Sequence, residues 1–121
     1  MQKRHEKTNP RLLTLITTLK EASRTNEVAL WRDIANRLES PRRNYAEVNI
    51  SKISRYASGG DTLLVPGKVL GTGALDQAVV VAALNFSGSA ETKIRGAKGA
   101  CLTIEELLAK NPTGSRVRIL R

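Results

Sequence analysis

Val79-Val-Val-Ala-Ala-Leu84 is an unbroken apolar run, and no other segment of this 121-residue chain limits the available folds as strongly. A strand with one wet face alternates apolar and polar side chains, so a run without alternation reads as a strand buried on both faces. The material for covering it is aliphatic. Aromatic residues make up only 3% of the chain (Trp31, Tyr45, Tyr56 and Phe86), whereas apolar residues as a whole reach 40%. That fraction excludes a disordered tail by composition, and the length suits one core.

The first half reads as helical. Asn9-Pro10 is a helix start, with Asn9 as N-cap and Pro10 in the first turn. Leu12, Leu15, Ile16 and Leu19 then recur at helical spacing, which predicts an amphipathic helix over about 10–23. Polar Ser23-Arg-Thr-Asn26 breaks the pattern. A second stripe follows in Val28, Trp31, Ile34, Ala35 and Leu38, stopping at Ser40-Pro41, so the pair predicts a helical hairpin. Pro41-Arg-Arg-Asn44 reads as a basic loop. Asn49 caps a short helix through Ile50 and Ile53 that ends at Gly59-Gly60.

After Gly60 the texture changes. Asp61–Val65 reads as a short strand, Pro66-Gly67 as a turn and Lys68–Leu70 as another strand, closed by Gly71-Thr-Gly73. Downstream of the apolar run, Ser87 caps a helix through Ala90 and Ile94 that ends around Gly96–Gly99. Thr103-Ile-Glu-Glu106 is a capping box opening a helix to Asn111-Pro112, and Arg116–Leu120 alternates as a last strand. The expectation is an α/β chain of mixed α+β character: a helical hairpin followed by an irregular array of short strands and helices. It divides into a flexible basic arm over 1–8 and one domain over 9–121, helical through 60 and strand/helix from 61.

Chemistry narrows the function by exclusion. Cys101 is the single cysteine and His5 the single histidine, so neither a disulfide scaffold nor a Cys/His zinc site can be assembled. His5 lies in the arm, which leaves no placed imidazole for a nucleophile system. Cys101 reads as a small core residue, and Glu105 and Glu106 as first-turn carboxylates. Gly67-Lys-Val-Leu-Gly71-Thr-Gly73 has neither the spacing nor the trailing lysine of a phosphate-binding loop, and reads as tight turns. No run approaches the roughly 20 apolar residues that span a bilayer. The charged Met1–Lys7 stretch has no signal-peptide pattern, so a cytoplasmic location is expected. No catalytic residue, cofactor, metal, membrane or small-molecule substrate is anticipated.

Charge supplies the positive evidence. Twenty Lys and Arg against eleven Asp and Glu give a net +9. Such self-repulsion is tolerable where a polyanion neutralises it. The candidate RNA contacts are Lys3, Arg4 and Lys7 in the arm, Arg42 and Arg43 on the loop and Lys52 and Arg55 on one helix face. Lys68, and then Lys93, Arg95 and Lys98 around a helix end, complete the set. Such groups bind by releasing counterions from phosphates. Four scattered aromatics do not make a stacking platform for single strands, so phosphate, sugar and shape contacts with folded RNA are expected.

Val65–Leu75, Val79–Ser87 and Ala90–Ile94 together resemble the archaeal and eukaryotic ribosomal protein L-eighteen-e family, related to bacterial L-fifteen. Leu102–Leu107, Asn111-Pro112 and Arg116–Ile119 continue the resemblance, as do Asn9-Pro10 and Arg42-Arg43-Asn44 upstream. It implies a large-subunit protein anchored on ribosomal RNA beside neighbouring ribosomal proteins, and the length is similar to archaeal members. One departure stands out: Ala97-Lys98-Gly99 occupies a place where the family usually has Ala-Gly-Gly. A free-standing RNA-binding module or chaperone, and a small enzyme using the glycine turn for a phosphate, are the alternatives from other classes. Co-migration with large subunits separates the module; tight mononucleotide binding would favour the enzyme.

Overall fold

The computed structural model describes residues 9–57 and 60–121. The proposed arm over 1–8, and Lys3, Arg4 and Lys7 with it, lies outside the described residues, as does Gly59. The Asn9 side chain accepts a hydrogen bond from the Arg11 amide at 2.9 Å and opens helix α1 (Pro10–Asn26), with Pro10 in its first turn. Leu12, Leu15, Ile16 and Leu19 are its buried stripe. The helix continues through Ser23–Asn26 rather than stopping near 23. That segment is polar but contains no glycine or proline, and a helix can carry a solvated last turn. It ends where Glu27 takes a left-handed conformation (φ 56°). Helix α2 (Ala29–Glu39) follows at once, buries Trp31, Ile34, Ala35 and Leu38, and completes the hairpin. The basic loop closes as a 3-10 turn, Arg42–Asn44.

Beyond it the strands form one sheet rather than scattered pieces. Strands β1 (Ala46–Asn49), β2 (Thr62–Leu70), β3 (Val80–Phe86) and β4 (Ala100–Thr103) lie in that order, and every pairing is parallel. The short strand β5 (Val117–Ile119) pairs with Thr62–Leu64 of β2, while β1 pairs with Gly67–Leu70. Since β3 takes the other side of β2, β1 and β5 lie end to end along one edge.

The expected Pro66-Gly67 turn is therefore a correction: both residues belong to the single strand β2. Between the pairs Val65–Ala83 and Lys68–Asn85 they oppose one residue of β3, which is a β-bulge. Pro66, having no N–H to donate, sits where β5 has ended and β1 has not begun, so no ladder bond is lost. Gly67 is required by close approach, because a Cβ there would lie 2.0 Å from the Ala46 carbonyl oxygen. Two strands, β1 and β4, were not anticipated at all.

Helices cover the sheet on both sides. Helices α1, α2 and α5 (Ile104–Lys110) pack over Leu64 and Ala82; α3 (Ile50–Tyr56) and α4 (Gly88–Gly96) pack over Leu63, Val65, Val81 and Ala83. Val81, Ala82 and Ala83 are fully buried, as the continuous apolar run requires of a strand covered on both faces. Trp31 is also fully buried, its indole N–H donating to the Pro112 carbonyl at 2.7 Å. Thr103 and Glu106 make the reciprocal capping box at the start of α5. Ser87 caps α4 by accepting from the Ala90 amide. Cys101 is half-buried beside the second core, and burial pushes its thiol above the ordinary range, which suits a packing residue.

Candidate nucleic-acid interface

A cleft of about 500 Å³ opens between the start of α1, the 3-10 turn and strands β1, β2 and β3. Its position follows from the parallel register. Pairing β1 with the second half of β2 sets Glu47 beside Lys68, and the bulge sets Lys68 beside Asn85 of β3. The N-terminal turn of α1 brings Arg11 to the rim, and the 3-10 turn brings Arg42 and Arg43. Leu12, Tyr45 and Leu84 give the cleft an apolar lining. Tyr45 is held in place because its hydroxyl donates to the Leu38 carbonyl at 2.6 Å. Burial raises its phenol above the usual range, with nearby Arg42 opposing the shift.

The cations here differ in their commitments. Arg11 donates twice to the Glu105 carboxylate, at 2.8 and 3.0 Å. That contact holds the Glu105 carboxyl below its usual range and raises the guanidinium. Arg42, Arg43 and Lys68 are exposed and, among the described residues, enter no ion pair. Like charges gathered without carboxylate partners are stable in water but attract phosphate.

The other expected contacts are placed differently. Lys93 donates to the carbonyls of Gly71 and Gly73, at 2.6 Å each, and so holds the glycine segment shut. That segment is packing and turn rather than phosphate cradle: a Cβ at Gly71 would meet Ser89 Oγ at 1.8 Å. Lys52 donates to the carbonyl of Arg121. Arg95 pairs with Glu91 one helical turn away at 3.0 Å. Arg55 is exposed on α3. Lys98 is exposed with φ 68°, the left-handed conformation that favours glycine. The structure thus brings together Arg42, Arg43 and Lys68, adds Arg11 and Glu47, and sets Lys52, Arg55, Lys93, Arg95 and Lys98 elsewhere. Sequence reading missed Arg11 because it counts as an ordinary helix charge until the fold puts it beside the turn. Glu47 was missed because β1 was.

No described helix is long and apolar enough to cross a membrane, and no group of metal-ligating side chains occurs among the described residues.

Comparison with known proteins finds matches over the whole length. Residues 1–121 match the family described as ribosomal protein 60S L18 and 50S L18e. The chain is 70% identical over 121 residues to the large ribosomal subunit protein eL18 of Methanosphaerula palustris, covering all of both chains. It is 61% identical to that of Methanospirillum hungatei, again over all of both. With the eL18 of Haloarcula marismortui the identity is 53% over 95% of this chain and 98% of the relative.

Proposed function

Because the chain belongs to the L18 and L18e family of ribosomal proteins, we propose that it is a structural constituent of the large ribosomal subunit. It binds and stabilises large-subunit ribosomal RNA and catalyses nothing. The observation that carries the binding mode is the cluster on one cleft of exposed Arg42, Arg43 and Lys68, which enter no ion pair among the described residues. Cations with no internal partner neutralise phosphates and release counterions. Residues 9–121 act as one RNA-binding domain and residues 1–8 as a basic arm, with Lys3, Arg4 and Lys7 as further contacts. Arg55 and Lys98 supply contacts from other faces. Lys52, Lys93 and Arg95 contribute charge while holding internal bonds. The partners are ribosomal RNA and neighbouring large-subunit proteins in the cytoplasm.

The test is sedimentation of tagged protein in a sucrose gradient after a high-salt wash. Retention in the large-subunit fraction is the expected result. Release into the soluble fraction, with binding to isolated RNA intact, would instead identify a transient RNA-binding module.

A further inference from the structure

The cleft has more in it than phosphate contacts need. A surface built only for the RNA backbone would be cationic throughout, yet Glu47 stands among Arg42, Arg43 and Lys68 and is itself exposed. It enters no ion pair among the described residues, although its register partner on β2 is Lys68. A carboxylate only accepts hydrogen bonds. Beside phosphates it would be repulsive, so its presence calls for a ligand group that donates.

The remaining lining identifies that group. Leu12, Leu84 and the anchored Tyr45 ring form apolar walls in a space of about 500 Å³, suited to the flat faces of a base. Arginine and lysine read the O6 and N7 acceptors of guanine, while a carboxylate accepts from base N–H donors. Guanine is the base that offers two adjacent donors, N1–H and the N2 amine, on one edge and two acceptors on another. In a duplex the donor edge is already occupied by cytosine, so the base must be unpaired and turned out of the stack.

We propose that this cleft seats a single unpaired guanine of the ribosomal RNA, its donor edge on the Glu47 carboxylate and its phosphate on Arg42, Arg43 and Lys68. The proposal rests on the reading of the chain as an RNA-binding constituent and names what that site selects. Specificity comes from Glu47, and affinity comes from the cations.

The experiment measures binding of the full chain to a short RNA hairpin carrying one bulged nucleotide: guanosine, inosine or uridine. Bulged guanosine is expected to bind at least about tenfold tighter than uridine, the discrimination of one good bidentate contact. Inosine lacks the N2 amine and should fall between them. Glu47→Gln should bring the three within about threefold, with uridine bound no more weakly than by the parent, since a carboxylate that repels phosphate has gone. Equal, salt-dependent binding of all three hairpins would overturn the guanine assignment and leave the RNA-binding reading standing. Guanosine preference that survives Glu47→Gln would overturn the role of the carboxylate. Failure to bind any hairpin, even at low salt, would overturn the RNA-binding reading itself.

Discussion

Two residues show how local physics is divided between stability and binding. Arg11 and Glu105 join the start of α1 to the start of α5 through two hydrogen bonds, and Arg11 lowers the Glu105 carboxyl below its ordinary value of 4.5. A carboxyl depressed in the folded state contributes stability above its ordinary value and loses it as pH falls through the lowered one. Both side chains are more than a third exposed, so the contribution is about 1 kcal/mol or less. Glu105→Gln should therefore unfold more easily than the parent at pH 7, by about that amount, and chemical denaturation at successively lower pH should find the gap narrowing once the pH is below 4.5. Lys98 makes the opposite trade. Its left-handed backbone (φ 68°) is costly for any side chain with a Cβ. Lys98→Gly should raise the unfolding free energy by up to about 1 kcal/mol in a denaturant titration. If the amine also contacts RNA, the same substitution will lower the salt dependence of binding by about one phosphate.

At the scale of elements, the sequence was legible where a signal is local. Asn9-Pro10, Ser87 and the Thr103–Glu106 box each mark a helix start by backbone groups that need a nearby acceptor, and all three were found where expected. The apolar run over 79–84 was legible as a strand, and Val81–Ala83 are covered on both faces, but Val80 is 36% exposed and Leu84 half-buried, so the double cover holds only for the middle of the run. What stayed hidden depends on partners far along the chain. Strands β1 and β4 are too short to show a period of two, and exist because β2 and β3 offer them edges. Pro66-Gly67 carries the local signature of a turn, but tertiary pairing turns it into a bulge. The same rule covers the site: the charges of Arg42, Arg43 and Lys68 were readable, while the cleft that gathers them with Arg11 and Glu47 follows from parallel register. Gly67→Ala tests the hinge of that arrangement. A methyl group 2.0 Å from the Ala46 carbonyl would force β1 away from β2, with a cost on the order of 3 kcal/mol. Thermal unfolding should show a large drop, and RNA affinity measured on the folded fraction should fall with it, since Glu47 and the preceding turn move with β1.

For the whole molecule, the net charge of +9 understates the division of labour among its cations. Arg11, Lys20, Arg37, Arg95 and Arg116 are paired with carboxylates, and Lys52 and Lys93 with backbone carbonyls, so these groups serve the fold first. Arg42, Arg43 and Lys68 serve it least: they are exposed and unpaired among the described residues, and their mutual repulsion is a standing cost. Removing all three by substitution with alanine should leave the melting temperature unchanged or slightly higher. The same variant should bind large-subunit RNA more weakly, and the slope of log affinity against log salt should shrink by roughly two to three units, as three lost phosphate contacts imply. Replacing Arg37, Arg95 and Lys93 instead removes the same formal charge. If net charge alone governed binding, the two triple variants would show equal slopes. If the cleft governs it, the second variant keeps most of its slope and loses some stability, because Arg37 and Arg95 each brace one turn within α2 and α4 and Lys93 ties α4 to the 71–73 segment. The comparison of the two slopes at matched charge decides between a diffuse polycation and a shaped RNA surface.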